Sequence, residues 1–505
     1  MLSIEERPLP LLIQGGMGVA VSGWKLARAV SLTGQLGVVS GTAIDAVLVR
    51  RLQAGDPNGD MRRALAEFPF PAMAQRIVDR YFIAGGKADD APFAATVILP
   101  ADPTQEQLEL VVVANFVEVF LAGEGHSHPI GVNYLEKIQT PILPSLFGAM
   151  LAGVDYVLMG AGIPRAVPGV LDQLAAGEPV EYPLHVLGAT PSDHFVTRFD
   201  PSSFCGGPVP WLERPKFLAI VASATLANVL AKKSSGRVDG FIVEGSTAGG
   251  HNAPPRGQAE LNERGEPVYG DRDAVDLEAI AALGLPFWLA GSYGTPDQVA
   301  SAIACGATGV QVGTAFAFCD ESGVEADLKR RVIEMCVRGE ADVFTDPLAS
   351  PTGFPFKVLQ MAGSMSERSV YEGRKRVCDL GFLRQAYRRD DGAIGWRCPG
   401  EKVSAYTQKG GKLEDTVGRK CICNGLLGNI GFAQIRKGGV EEPAIVTCGN
   451  EVASIVQFMQ PPEATSYSAT DVVRYLLTQP TEFTQALEVH AAHGLCAGNR
   501  KGPGE

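Results

Sequence analysis

The sequence predicts an α/β fold, a parallel (β/α)8 barrel with insertions, followed by a C-terminal, mainly helical extension. Three observations carry this expectation. Eight short apolar runs recur without clean alternation, as expected of strands covered on both faces. Helical patterns lie between several of them. Glycines gather at the C-terminal ends of the runs, where a barrel places its ligand site. A doubly wound open sheet is the alternative; the count of eight favours the barrel.

The runs, in order, are residues 10–16, 37–41, 128–133, 154–160, 217–223, 238–245, 286–291 and 308–314. Residues 24–33 and 224–233 have apolar positions at helical spacing. In residues 295–305, Thr295 is the expected N-cap and Pro296 the first helical residue, the positions those residue types favour. Two stretches exceed the length of a strand–helix unit. Residues about 46–127 are helix-rich, and about 165–214 are rich in Pro, Gly and aromatics; both read as insertions, the second as a candidate lid. The rhythm stops near 345, so residues 1–345 are expected to form the barrel and 346–505 an extension of open role.

Composition narrows the class. The 505 residues include 59 glycines, about 12% against a usual ~7%, with no triplet period. The net charge of −12 argues against nucleic acid as a partner of the whole molecule. Residues 366–440 hold 15 Lys and Arg against 8 Asp and Glu, a local +7, leaving −19 for the rest. That segment reads as packing against the acidic barrel, with docking of an acyl carrier protein as the sharper alternative. The apolar stretch 108–123 contains Glu109 and Glu118 and is too short and too charged to span a bilayer. With ten cysteines and no basic-then-apolar leader, a reducing cytoplasmic setting is expected.

The strand ends carry the chemistry. Gly291-Ser292 after the seventh strand and Gly313-Thr314 after the eighth suit a phosphate cradled by backbone N–H groups. Gln14-Gly15-Gly16-Met17-Gly18 could pass for a dinucleotide fingerprint, but Val21 stands where its third glycine should be. It better suits a loop lining a flat ring. Glu244 to His251 reads EGSTAGGH. It places one of only seven histidines at a strand end beside two glycines, and histidine is the side chain best poised for proton transfer near neutral pH.

Taken together and in order, IQGGMG (13–18), GVN (131–133), VASAT (221–225), EGSTAGGH (244–251), LAGSYG (289–294) and GVQVGTAF (309–316) resemble the FMN-dependent nitronate monooxygenase family, related to flavin-dependent enoyl-acyl-carrier-protein reductases. The resemblance covers most of residues 8–345. It implies a TIM barrel with non-covalent FMN. Gly15, Gly16 and Met17 would line the flavin and Asn133 would hydrogen-bond it. Ser223, Gly249 and Gly250 would lie near it, and Gly291, Ser292, Gly313 and Thr314 would hold its phosphate. His251 matches the family's catalytic histidine. The loop after it, His251 to Gly257, is longer than the family's, and Gly160 stands where some members carry a second histidine.

The implied reaction is oxidation of an alkyl nitronate or similar anionic carbon acid with O2. A NAD(P)H-dependent enoyl reductase acting on acyl-carrier or polyketide intermediates is the second reading, and a non-redox phosphate-ligand barrel the third. The expected partner is a small-molecule substrate; a homo-oligomer remains open. Cys398, Cys421, Cys423 and Cys448 could bind zinc or an iron–sulfur cluster. Cys-x-Cys is a weak signal for that, so no metal site is expected and buried structural thiols are. His490 and His493 read as surface or packing residues of a C-terminal helix.

Overall fold

A computed structural model describes residues 8–478, apart from Val97, Ala259, Pro462 and Glu463. The expected helix bearing His490 and His493 lies outside the described residues.

All eight apolar runs form strands of one parallel sheet: β1 (Leu12–Gln14), β2 (Gly37–Ser40), β3 (Ile130–Leu135), β4 (Tyr156–Gly160), β5 (Lys216–Val221), β6 (Gly240–Glu244), β7 (Phe287–Ala290) and β8 (Gly309–Val312). The spatial order runs from β2 through β3, β4, β5, β6, β7 and β8 to β1. The ring closes because Gln14 donates its N–H to the Leu36 carbonyl and Leu36 donates to Leu12. This is a (β/α)8 barrel, whose closure removes both sheet edges.

Side-chain alternation separates two cores. Ile13, Val38, Leu158, Leu218, Ile242 and Trp288 fill the barrel interior. Trp288 is fully buried and donates its indole N–H to the Pro10 carbonyl at 2.7 Å, which satisfies its one polar atom. The opposite strand faces meet the surrounding helices in a second, larger core. The helix Ala224–Lys233 follows β5 and the helix Pro296–Ala304 follows β7. Thr295 caps the latter by accepting the Gln298 N–H, with Pro296 in its first turn.

The first insertion is helical. Its longest element, Gln105–Gly123, packs against the helix Ile142–Leu151. Each carboxylate of the apolar stretch has a guanidinium partner: Glu109 meets Arg76 at 2.6 and 2.9 Å, and Glu118 meets Arg51. Pairing is what permits two charges in so apolar a helix. No helix among the described residues is long and apolar enough to cross a membrane.

The second insertion and the extension join. The strand Val186–Leu187 pairs in parallel with Gln385–Arg388, which pairs antiparallel with Ile394–Arg397. Short helices carry more of the extension than strands do, and much of it is irregular. Part of its positive charge is paired within it. Arg374 and Arg436 share the buried carboxylate of Glu442, Arg436 also meets Asp379, Lys409 meets Glu401, and Lys420 meets Asp346.

Candidate active site

The C-terminal strand ends surround a cavity of about 230 Å³. Gly15, Gly16, Met17, Asn133, Gly249, Gly250, His251, Gly291, Ser292, Gly313 and Thr314 all line it. Ser223 does not. Its hydroxyl accepts the Leu226 N–H and caps the following helix. A serine directly before an apolar helix is an N-cap by the ordinary preference, and that preference decides its position.

The loop after β1 is held from within. Gln14 donates its amide to Ser22 Oγ at 2.8 Å and accepts the Val38 N–H at 3.1 Å. Ser22 Oγ accepts the Met17 N–H at 3.0 Å. Asn133 donates its amide to the Gly16 carbonyl at 3.1 Å. A Cβ on Gly16 would stand 2.5 Å from the Asn133 Cβ, so this close approach requires glycine. Asn133 Oδ1 and Gln311 Oε1 are buried and have no hydrogen-bond partner.

The β7 and β8 loops form one corner. Gly291 has φ +94° and Ser292 φ +62°, so two successive residues adopt the left-handed region that N–H cradles employ. No Lys or Arg lines the cavity among the described residues. Any charge on a phosphate here would meet backbone N–H groups and hydroxyls rather than a cationic side chain. Thr314 is partly committed already: its hydroxyl accepts the Gly449 N–H at 2.8 Å.

His251 is placed by the extension. It bridges antiparallel to Phe356, whose ring centroid lies 4.8 Å from its own. Its Nε2 pairs with Ser350 Oγ at 2.6 Å, and that hydroxyl meets Thr352 Oγ1 at 2.8 Å. Burial and the Lys137 ammonium push the imidazole down to about 4, so the ring is neutral at pH 7. Glu244, at the end of β6, also lines the cavity, and burial pushes its carboxyl up to about 7. A neutral imidazole and a carboxyl whose pKa is raised therefore share the cavity.

Several site residues were not foreseen. Gln311 carried a sequence signal: it is polar at the inward position of an apolar strand, between Val310 and Val312. Ser350 and Lys137 carried none. Nor did the roof, formed by Phe356, Phe382, Leu383, Ile422, Leu426 and Thr447 to Gly449 of the extension. Glycine at 249 serves this roof, since a Cβ there would stand 2.8 Å from the Cys448 carbonyl carbon and the Gly449 nitrogen.

The cysteine quartet read from spacing is regrouped. Cys398, Cys421 and Cys423 gather around Cys378. Cys448 lies apart, near Cys336 and Lys357. A side-chain hydrogen bond with Cys398 holds the Cys378 thiol below the ordinary range, while burial pushes Cys423 up. No group of three or more His, Cys, Asp or Glu among the described residues is arranged to hold a metal ion.

Residues 208–342 match the family model for nitronate monooxygenase. The "Probable nitronate monooxygenase" of Bacillus subtilis (strain 168) is 34% identical over 115 residues, 23% of this chain and 31% of that protein. A Mycobacterium tuberculosis (strain ATCC 25618 / H37Rv) protein, (3aS,4S,5R,7aS)-5-hydroxy-7a-methyl-1-oxo-octahydro-1H-indene-4-carboxyl-CoA dehydrogenase, is 28% identical over 141 residues, 28% of this chain and 35% of that one. The chain thus spans about a third of the length of these curated relatives. Among solved structures, FabK from Thermotoga maritima aligns over 97% of both chains at 16% identity with a TM-score of 0.47. The segment 208–342, which runs from the approach to β5 past β8 and contains His251, is similar to the nitronate monooxygenase family.

Proposed function

We propose that the protein is an FMN-dependent oxidoreductase that oxidises an alkyl nitronate or a similar anionic carbon acid with O2, with His251 as its acid/base. The observation that carries this reading is a neutral, half-buried histidine facing a cavity that also contains two unpartnered acceptors, Asn133 Oδ1 and Gln311 Oε1. Buried acceptors without donors are costly. FMN fits them, because its ring N–H and ribityl hydroxyls are donors. Gly15, Gly16 and Met17 would line the ring, and the N–H groups of residues 291–292 and 313–314 would hold the phosphate.

The chemistry FMN supplies when bound is uptake of electrons from the substrate and their delivery to O2. The chain positions and protonates. Ser350, itself tied to Thr352, fixes the His251 ring at Nε2. The neutral imidazole can accept a proton from a carbon acid and return it, which in general is worth about 10²–10⁴ in rate. Phe356, Phe382 and Leu383 cover the chamber, and excluding water strengthens every polar interaction inside it.

Anaerobic mixing tests the reading. Flavin-loaded protein should bleach with propyl nitronate and should not bleach at a useful rate with NADPH. Rapid bleaching by NADPH alone would instead favour the enoyl reductase reading, which the likeness to a carboxyl-CoA dehydrogenase supports. Protein that stays colourless when FMN is added would remove both.

A further inference from the structure

A second chamber of about 380 Å³ adjoins the barrel cavity. Ile138, Phe382 and Leu383 line both. Its walls are built from regions distant in sequence: the loop after β3, Ile98 and Leu99 of the first insertion, His185 of the second, and Leu380 to Ala386 with Trp396 of the extension. The volume is within the range of small-molecule sites, which pair an apolar lining with a few placed polar groups.

The polar groups here are unevenly satisfied. Glu136 is buried and already accepts from Tyr182 Oη at 3.2 Å and Gln139 Nε2 at 3.0 Å. Asp45 is engaged by backbone N–H groups of its own helix. The two strong cations are not so matched. Lys137 Nζ lies 3.3 Å from the Phe354 ring centroid, and Arg384 stacks 5.0 Å from the Trp396 ring. Arg384 otherwise donates to the Gly381 carbonyl at 3.0 Å. Neither cation forms an ion pair with a carboxylate among the described residues, whereas Arg374, Lys409, Lys420 and Arg436 of the extension do. Both are partly withdrawn from water, and burial lowers the pKa of each. Withdrawing a cation from water without an anion is unfavourable. A bound anion would reverse that cost.

We propose that this chamber is a binding site for an aliphatic carboxylate, with Lys137 and Arg384 anchoring the carboxylate and the Ile98, Leu99, Ile163 and Leu380 side chains covering the chain. The site does not depend on the redox reading, since it requires neither flavin nor turnover. It gives the protein a place for an acidic group beyond the main cavity, beside the Lys137 ammonium whose charge acts on His251. A substrate spanning both would carry its reacting carbon toward His251 and its acid end here.

Isothermal titration of the full-length protein with sodium octanoate, and with 1-octanol as the uncharged match, tests this directly. Octanoate should bind at least tenfold more tightly than octanol. Lys137→Gln and Arg384→Gln should each weaken octanoate about fivefold or more, the double variant further, with octanol binding and flavin content unchanged. Equal binding of the two probes would overturn the proposal. So would octanoate binding that survives the double variant, with folding of that variant verified by its melting transition. If octanoate binds as expected and nitronate fails to reduce the flavin, the site stands and the proposed activity falls.

Discussion

The floor and the roof of the main cavity are built by opposite means. The floor is the barrel's strand ends, where glycines expose backbone and polar side chains come one per strand: Ser40, Asn133, Glu244 and Gln311. The roof is the extension, where bulky apolar side chains such as Phe356, Phe382, Leu383, Ile422 and Leu426 project inward. Backbone N–H groups suit a ligand of fixed shape and charge. Apolar side chains set the outline of whatever varies. Under the proposed function the floor would hold the cofactor and the roof would decide the substrate. His251 stands at their junction, rooted in the barrel and oriented by Ser350 of the roof.

Breaking the junction should cost most. His251→Asn should retain flavin, and turnover should fall by about 10²–10⁴ in a steady-state assay; unchanged turnover would remove His251 from the mechanism. Breaking the floor comes next. Gly291→Glu places bulk and negative charge at a residue with φ +94° and should abolish flavin retention measured by absorbance. The contact between the halves is tested by Gly249→Val, whose Cβ would meet backbone at 2.8 Å. It should cost on the order of 1–3 kcal/mol, read as a lowered melting temperature.

A subtler effect concerns charge. His251 has a folded pKa of about 4, below the unfolded value of 6.5. The unfolded chain therefore binds more protons between these values, and the group's contribution is intact above pH 6.5 and lost as pH falls toward 4. Glu244 acts in the opposite sense. Its folded value of about 7 exceeds 4.5, so its contribution is intact below 4.5 and lost as pH rises through 7. Relative to the parent protein, His251→Asn should gain melting temperature at pH 5 compared with pH 7, and Glu244→Gln should lose it. The smallest change expected is at Glu451, an acid of the roof at the proposed phosphate corner. Glu451 lines that corner, its carboxylate 3.8 Å from where a Gly294 Cβ would stand. Glu451→Gln should tighten FMN by about fivefold, on the order of 1 kcal/mol, by fluorescence titration.

The barrel was legible because its evidence is local. An apolar run, a Gly and a helix signal each act over a few residues, and all eight runs became strands. The floor was legible for the same reason: strand ends must face one rim, so glycines after strands share a site whatever else folds around them. Ser223 shows the limit of that logic, because a strand end is also the next helix's cap, and the cap claimed the hydroxyl. Tertiary structure alone decided the rest. Cys378 joined Cys398, Cys421 and Cys423, and Cys448 left them, because thiol proximity depends on chain crossings that spacing does not encode. Ser350 met His251, and residues 350–454 closed the cavity, through contacts close to a hundred or more residues apart. Sequence alone determined where backbone could approach a ligand; only the packed chain determined which side chains would enclose it, since enclosure depends on long-range packing rather than local preference.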